Sequence, residues 1–162
     1  MTLNDLIALA RPLIEQFNLF EDKRKPLAWF LAWCDTESAL NQYAIRYEPK
    51  FRWLYPADNK PKQGTTEWFG QKTSWGLLQI MGAVARERMF DSKYLSELCD
   101  PQVNLKIASE YLAELRGRSD GTWEGALAAY NGGLHKNRTA PYRNQEYVSK
   151  VEAKVGRYER FA

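Results

Sequence analysis

The sequence predicts an all-α protein in which several helices pack around one helix that is buried on most sides. Three observations support this fold class. Apolar residues recur at helical spacing through most of the chain, residues that favour helix ends stand at the boundaries of these segments, and residues 27–33 are apolar nearly all round. With 162 residues, 44% of them hydrophobic, we expect a single domain over residues 1–162.

Two helices are predicted in the N-terminal part of the chain. Thr2 is placed to cap the first helix, with Asp5 three residues later, and Pro12 is expected to kink or divide it. Pro26 suits the first turn of the second helix, which is expected to end near residues 37–40. Because this second helix contains the apolar run, we expect it at the centre of the fold.

Residues 42–74 show no helical period. Prolines interrupt this stretch, which is rich in aromatic residues: Tyr43, Tyr47, Phe51, Trp53, Tyr55, Trp68 and Phe69. A segment this long without regular structure is uncommon in a compact domain. The pattern favours a functional lid or a small subdomain packed by its own aromatic residues, and a short hairpin within it is an open alternative.

Four further helices are predicted in the second half of the chain. Their expected ranges are 75–89, 101–117, 123–130 and a last helix that follows residue 144. One short turn is expected at residues 94–98. Suitable capping residues precede the last three helices: Asp100, Thr122 and Asn144.

Composition excludes several classes of protein. A net charge of +3 is far below the concentrated positive charge of a nucleic-acid-binding protein, so we expect no nucleic-acid partner. The single histidine, His135, makes a zinc site or a Ser-His triad hard to build, and we expect no metal and no cofactor. The two cysteines, Cys34 and Cys99, are expected to be buried thiols. No segment has the apolar length of a membrane-spanning helix, and the N-terminus lacks the features of a signal peptide.

Glu37 is the strongest candidate for a catalytic group. The apolar run leads directly into it, and Ser38 follows. At the C-terminal end of a buried helix, the helix dipole and the apolar surroundings both disfavour a negative charge. A carboxyl group in that position is therefore expected to have a raised pKa, as a general acid requires.

Several segments of the chain, in this order, match the motifs of one known family. They are Glu37-Ser38-Ala39-Leu40-Asn41, Gly76-Leu77-Leu78-Gln79-Ile80-Met81 and Ala129-Tyr130-Asn131-Gly132-Gly133. The segments 100–104 and 111–115 resemble the helix between the second and third motifs, and residues 147–151 resemble the closing helix. Over about residues 27–151, the chain resembles the soluble-type (SLT) lytic transglycosylases, which have a lysozyme-like fold related to goose-type lysozyme. The chain departs from the family pattern between the first two motifs, where residues 46–74 form an aromatic-rich insertion.

The resemblance implies a peptidoglycan lytic transglycosylase with Glu37 as its sole catalytic acid and base. Such an enzyme cleaves the bond between N-acetylmuramic acid (MurNAc) and N-acetylglucosamine (GlcNAc) and leaves a 1,6-anhydro sugar. The expected partner is a peptidoglycan glycan strand, bound by a monomer without stable membrane insertion. The resemblance also implies substrate-binding roles for a set of residues: Ser38, Ser74, Gln79, Met81, Tyr130, Asn131 and Tyr147.

Several of these residues also have a purely structural interpretation. Ser38 and Asn131 suit helix ends, whereas Met81 and Tyr147 suit the core. The insertion makes the assignment of Ser74 the least secure. Four aromatic residues are candidates for stacking on sugar rings or for packing the insertion onto the domain: Trp53, Tyr55, Trp68 and Trp75.

Two other functions compete with this interpretation. A muramidase would hydrolyse the same bond with water and would need a second carboxylate, for which Asp35, Asp58 and Glu67 are candidates. A non-catalytic glycan-binding module or virion structural module is a different class, which the intact motif residues disfavour. We expect a bacteriophage protein, acting either in lysis, from the host cytoplasm onto the periplasm and cell wall, or in entry as part of the virion.

Overall fold

The fold is that of a computed structural model, which describes residues 1–161. Within these residues there are seven α-helices and three short strands, so the predicted all-α fold class is confirmed. The helices are α1 (Leu3–Phe17), α2 (Pro26–Ser38), α3 (Thr66–Gln71), α4 (Gly82–Glu87), α5 (Pro101–Arg118), α6 (Trp123–Gly132) and α7 (Gln145–Tyr158). The strands are β1 (Ile45–Tyr47), β2 (Thr73–Trp75) and β3 (Ile80–Met81). Three 3-10 helices span Leu95–Cys99, Leu134–Lys136 and Glu159–Phe161.

The chain falls into two compact units. The terminal unit comprises residues 1–36 and the chain from residue 108 onward, and the central unit comprises residues 37–107. The chain passes from one unit to the other within α2 and again within α5. The expectation of a single domain over residues 1–162 stays a prediction.

Helix α1 begins as predicted but is not divided at Pro12. The Thr2 hydroxyl accepts a hydrogen bond from the Asp5 amide at 3.2 Å, and the Asp5 carboxylate accepts one from the Thr2 amide at 2.8 Å. The helix then continues through Pro12 to Phe17, so the predicted division is wrong, whereas the alternative of a kink at Pro12 stays a prediction. Pro12 lies on the exposed side, and the carbonyl of Ala8, which loses its helical partner to the proline, belongs to an exposed residue. Water can satisfy that carbonyl.

Helix α2 is the buried helix that the sequence predicts. It begins at Pro26, and its residues from Leu27 to Cys34, except Trp29, are buried. In the terminal unit, the ring of Trp33 makes edge contacts with Phe20 and Phe30, with centroids 6.5 and 5.8 Å away. Large aromatic side chains therefore hold the final turns of α2 in a fixed position, immediately before Glu37.

A three-stranded antiparallel sheet is the main element that sequence analysis did not predict. Its order is β1-β2-β3, and Ser74 lies opposite both Arg46 and Met81. The helix predicted over residues 75–89 is wrong in its first part, because Gly76 and Gln79 have left-handed backbone conformations, with φ of 70° and 48°. Such conformations end a helix, and the chain instead turns from β2 into β3.

Two buried polar side chains at the end of α3, Gln71 and Lys72, form hydrogen bonds with the earlier part of the insertion. The side-chain amide of Gln71 accepts a hydrogen bond from the Tyr55 amide at 2.7 Å and donates one to the Tyr55 carbonyl at 2.6 Å. The ammonium group of Lys72 donates to the carbonyl of Pro49 at 2.7 Å and lies over the ring of Trp68. These contacts replace the regular hydrogen bonds that this stretch lacks.

Helix α3 lies in the stretch 42–74, where no helix was predicted, whereas α5, α6 and α7 agree with the prediction. The short turn predicted at 94–98 is the 3-10 helix Leu95–Cys99, and α5 begins at Pro101. Thr122 caps α6, since its hydroxyl accepts from the Gly125 amide at 2.9 Å. Helix α7 follows Asn144, but that side chain makes no capping hydrogen bond. Among the described residues no helix is both long and apolar enough to cross a membrane.

Candidate active site

Glu37 and Ser38 lie in the last turn of α2, and both are half-buried. The chain leaves the helix through Ala39 and Leu40, whose left-handed φ values of 53° and 61° turn it sharply. The amide of Asn41 donates to the Ser38 carbonyl at 3.1 Å and closes this turn. Glu37 therefore stands at a rigid helix end, where the C-terminal end of the helix dipole faces it.

Asp35, two residues before Glu37, is held by the last helix of the chain. Its carboxylate accepts hydrogen bonds from Lys154 at 3.0 Å and from the Tyr158 hydroxyl at 3.0 Å, and Arg157 lies 3.5 Å away. The Lys154 ammonium also donates to the backbone carbonyl of Asp35 at 2.9 Å. This carbonyl is one of the last four of α2, which lack helical partners. Burial, together with the bond to Asp35, raises the pKa of Tyr158 to about 12.

Ser74 and Met81 form a pair across strands β2 and β3. The Ser74 hydroxyl donates to the Met81 sulfur at 3.1 Å, and only 3% of Ser74 is exposed. Arg46 lies opposite Ser74 on β1, so the sheet register presents Arg46, Ser74 and Met81 on one face. The two predicted site residues of this pair are thus brought into direct contact.

Gln79 lies in the turn between these strands, and its side chain stabilises that turn by hydrogen bonds. Its side-chain NH₂ donates to the carbonyls of Ala44 and Gly76, both at 3.0 Å. These bonds connect the turn to the residue before β1 and stabilise the left-handed conformation of Gln79 itself. Its side-chain oxygen is the group left to accept a hydrogen bond from a ligand.

Asn104 supports the same turn and was not among the predicted site residues. It is fully buried in α5, where its side-chain oxygen accepts from the Leu78 amide at 2.8 Å. Its NH₂ donates to the carbonyls of Trp75 and Leu98 at 2.7 and 2.8 Å. All of its hydrogen-bond partners are backbone groups of other segments, which a sequence pattern does not reveal. The sequence feature that could have indicated its role is its position in the segment 100–104, which resembles the family.

The other three predicted site residues belong to the terminal unit. Tyr130 lies near the end of α6, and its ring contacts Trp33 edge-on at 5.0 Å and Tyr111 at 5.5 Å. Asn131 follows it and is exposed, with its side-chain oxygen accepting from the Asn144 side chain at 2.8 Å. Tyr147 is buried in the first turn of α7, a helix that packs against α6.

The four aromatic residues proposed to stack on sugar rings divide into two groups. The indole N–H of Trp75 donates to the Gly70 carbonyl at 2.9 Å, and Trp68 lies beneath the Lys72 ammonium at 4.3 Å from its ring centre. Both rings therefore pack the central unit. Trp53 and Tyr55 are exposed instead. The described residues contain no cluster of three or more metal-ligating side chains, and no disulfide joins Cys34 to Cys99.

The comparison with protein families gives a match that spans most of the chain. The model described as "Transglycosylase SLT domain" matches residues 20–152, which includes every predicted site residue. A search of the curated proteins found no similar sequence. The match supports a lysozyme-like helical fold and a glycosidase-like activity on peptidoglycan.

Proposed function

Because the chain belongs to the SLT transglycosylase domain family, we propose that it cleaves the MurNAc-β-1,4-GlcNAc bond of peptidoglycan and forms 1,6-anhydroMurNAc. One observation carries the proposal. Glu37 is half-buried at the C-terminal end of a buried helix, inside the matched region. The proposed reaction uses its carboxyl group as a general acid and base.

In the first step, Glu37 donates its proton to the oxygen that bridges the two sugars. The bond from this oxygen to the MurNAc anomeric carbon breaks, and the GlcNAc side leaves with a hydroxyl group. The positive charge that develops at the anomeric carbon is stabilised by the carbonyl oxygen of the sugar's own acetamido group. This substrate-assisted route needs no second protein carboxylate.

In the second step, the Glu37 carboxylate acts as a base. It takes the proton of the MurNAc 6-hydroxyl as that oxygen attacks the anomeric carbon. The 1,6-anhydro ring closes, Glu37 regains its proton, and no water is consumed. One carboxyl group performs both proton transfers because each step returns it to the state that the other requires.

The remaining site residues are proposed to bind the sugars around the scissile bond. Ser38 and Ser74 offer hydroxyl groups, and Gln79 offers its side-chain oxygen. Met81 supplies apolar surface beside Ser74, and its sulfur accepts the hydrogen bond from the Ser74 hydroxyl. In the terminal unit we assign the same substrate-binding role to Tyr130, Asn131 and Tyr147, where the Asn131–Asn144 bond orients the Asn131 amide.

The contacts of two carboxylates favour this reaction over hydrolysis. A muramidase would use a carboxylate such as Asp35 or Glu67 to position water. Asp35 is occupied by Lys154 and Tyr158, and both oxygens of Glu67 accept from Arg86 at 2.8 Å. Asp58, the third candidate, is exposed. A role in phage lysis or phage entry stays a prediction.

The test is the substitution Glu37→Gln, which keeps the shape of the side chain and removes its proton chemistry. We expect cleavage of purified peptidoglycan to fall by about a thousandfold, the usual range for loss of a general acid and base. Glu110→Gln, at an exposed position of α5, is the matched control and should retain full activity. Thermal unfolding should be alike in both variants. Retained cleavage by Glu37→Gln would refute the assignment.

A further inference from the structure

The central unit contains a groove on the face of the sheet opposite Ser74. Thr73 and Trp75 line this groove, while Ser74, between them in β2, faces the other side and bonds to Met81. Phe69 of α3 and Tyr94 with Lys93 form its walls, and its volume is about 500 Å³. We name it the back groove. Strand alternation separates it from the sheet face to which we assign substrate binding.

The back groove is held open by a hydrogen-bonded arginine. The Nε and Nη2 atoms of Arg86 donate to the two oxygens of Glu67 on α3, both at 2.8 Å. Its Nη1 donates to the carbonyls of Phe90 and Ser92 at 2.6 and 2.8 Å, in the segment that leads to Tyr94. One side chain, 14% exposed, therefore connects both walls. A groove whose walls are connected in this way binds at a smaller ordering cost than a mobile one.

The floor and one wall are fixed by close packing. The bond from the Trp75 indole to the Gly70 carbonyl connects the floor to α3. A Cβ atom at Gly70 would lie 2.6 Å from the Leu95 side chain, so glycine allows α3 to approach the 3-10 helix that follows Tyr94. Phe69 itself is braced by Tyr47 and Trp68, whose ring centres lie 5.7 and 4.9 Å away.

The groove presents aromatic faces, hydroxyl groups and a positive charge. Phe69 is 47% exposed and Tyr94 56% exposed, and the Lys93 ammonium lies 5.3 Å from the Tyr94 ring centre. Thr66 lines the groove together with Thr73, whose hydroxyl donates to the Phe69 carbonyl at 2.8 Å and keeps its capacity to accept. Since Arg86 neutralises Glu67, Lys93 makes the rim attractive to anions.

We propose that the back groove binds a second stretch of peptidoglycan glycan strand, away from the bond that is cleaved. The apolar faces of the sugar rings would stack on Phe69 and Tyr94, and their hydroxyl groups would form hydrogen bonds with the threonines. The lactyl carboxylate of a MurNAc that carries no stem peptide would pair with Lys93. This inference rests on the proposed function for the identity of the polymer. Its consequence is that the enzyme holds insoluble wall more tightly than short soluble fragments.

The experiment measures binding to insoluble purified peptidoglycan by co-sedimentation, in the Glu37→Gln background so that the wall is not degraded. We expect the double substitution Phe69→Ala with Tyr94→Ala to weaken binding by about tenfold, as the loss of two stacked rings implies. Met89→Ala, at an 82% exposed position outside the groove lining, is the matched control and should bind normally. Unchanged binding by the double variant would overturn the inference.

A second variant covers the case in which loss of Phe69 disturbs the fold. Lys93→Ala removes an exposed side chain, and it should weaken binding and reduce its dependence on salt. Competition then identifies the occupant: glycan strands freed of stem peptides should displace the protein from the wall, whereas displacement by stem peptides alone would overturn the proposal.

The two proposals fail in different ways. With active protein, the double variant should cleave short soluble glycans at the wild-type rate and insoluble wall more slowly. If the double variant and the wild-type chain cleaved insoluble wall at equal rates, the proposal that the back groove binds glycan would be refuted. Absence of cleavage by the wild-type chain, with binding to the wall intact, would contradict the proposed reaction alone.

Discussion

At the scale of single residues, Gly76 is the position where the motif turn leaves no room for a side chain. Its φ is 70°, and a Cβ atom there would lie 2.5 Å from the Asn104 amide nitrogen and 2.7 Å from the Leu98 carbonyl oxygen. We expect Gly76→Ala to lower the free energy of unfolding by on the order of 2–4 kcal/mol, because it adds a clash in a buried hydrogen-bonded site to backbone strain. Denaturant unfolding measures this change.

Gly64 is the matched control for this prediction. Its φ of 85° imposes a similar left-handed backbone, but no atom lies within 4 Å of the position where its Cβ would be. Gly64→Ala should therefore cost only the backbone penalty, about 1 kcal/mol. Equal losses in the two variants would show that the Asn104 contact does not restrict Gly76.

The position of Glu37 could be predicted from the sequence, whereas the support around it could not. An apolar run that ends in a carboxylate is a local pattern, and α2 ends at Ser38 within the expected range. Asn104 bonds to Leu78, 26 residues away, and Gln79 bonds to Ala44, 35 residues away. Such contacts depend on how distant segments meet, which spacing along the chain does not encode.

At the scale of elements, the connection of α3 to α4 through Glu67 and Arg86 predicts a pH dependence. The hydrogen bonds from Arg86 hold the pKa of Glu67 below its usual value of 4.5. Because the folded pKa is lowered, the stability that this pair contributes is present above pH 4.5 and is lost as pH falls through the folded pKa. The contribution is modest, since the Glu67 side chain is 37% exposed.

The variant Glu67→Gln tests this link. Thermal unfolding across pH 3 to 6 should show the wild-type chain more stable than the variant near pH 6, with the difference shrinking toward pH 3. Glu87→Gln, in a more exposed pair with Arg88, should show little difference at any pH. A stability difference between wild type and Glu67→Gln that does not change with pH would contradict the prediction.

Two elements show why helical patterning misleads here. Residues 75–81 are mostly apolar, and a short apolar run fits a helix or a buried strand equally well. Gly76 and Gln79 have left-handed backbone conformations, which produce a strand and a turn here and not a helix. The hydrogen bond from Gln79 to the Ala44 carbonyl, outside this segment, stabilises the turn. At Pro12 the sequence suggests a helix end where the helix in fact continues, because a proline on the exposed side of a well-capped helix is tolerated. The capped helices α5 and α6 were predictable because their start signals are local.

At the scale of the whole molecule, the second and the last α-helix of the chain, α2 and α7, are joined within the terminal unit by the hydrogen bond from Tyr158 to Asp35. Burial raises the pKa of Tyr158 to about 12, against 10.0 for an ordinary tyrosine. Because the folded pKa is raised, the stability from this proton is fully present below pH 10 and is lost as pH rises toward 12. We expect Tyr158→Phe to be less stable than wild type near pH 8 and the difference to shrink above pH 10.

Denaturant unfolding from pH 8 to 11.5 measures this effect as a difference between the two proteins. The contribution of Tyr142, whose pKa is also raised by burial and by its bond to Asp120, cancels in that difference. Tyr43→Phe, at an exposed position, is the control and should follow wild type throughout. A constant difference between wild type and Tyr158→Phe would contradict the role of the hydroxyl proton.

In the proposed reaction, Glu37 works with the substrate's own groups and without water. Mass spectrometry of the soluble products from purified peptidoglycan distinguishes this reaction from hydrolysis. We predict MurNAc termini in the 1,6-anhydro form, lighter by one water than reducing ends and absent from a Glu37→Gln digest. Products with only reducing ends would refute the proposed reaction, because they require water at the anomeric carbon and would identify a muramidase.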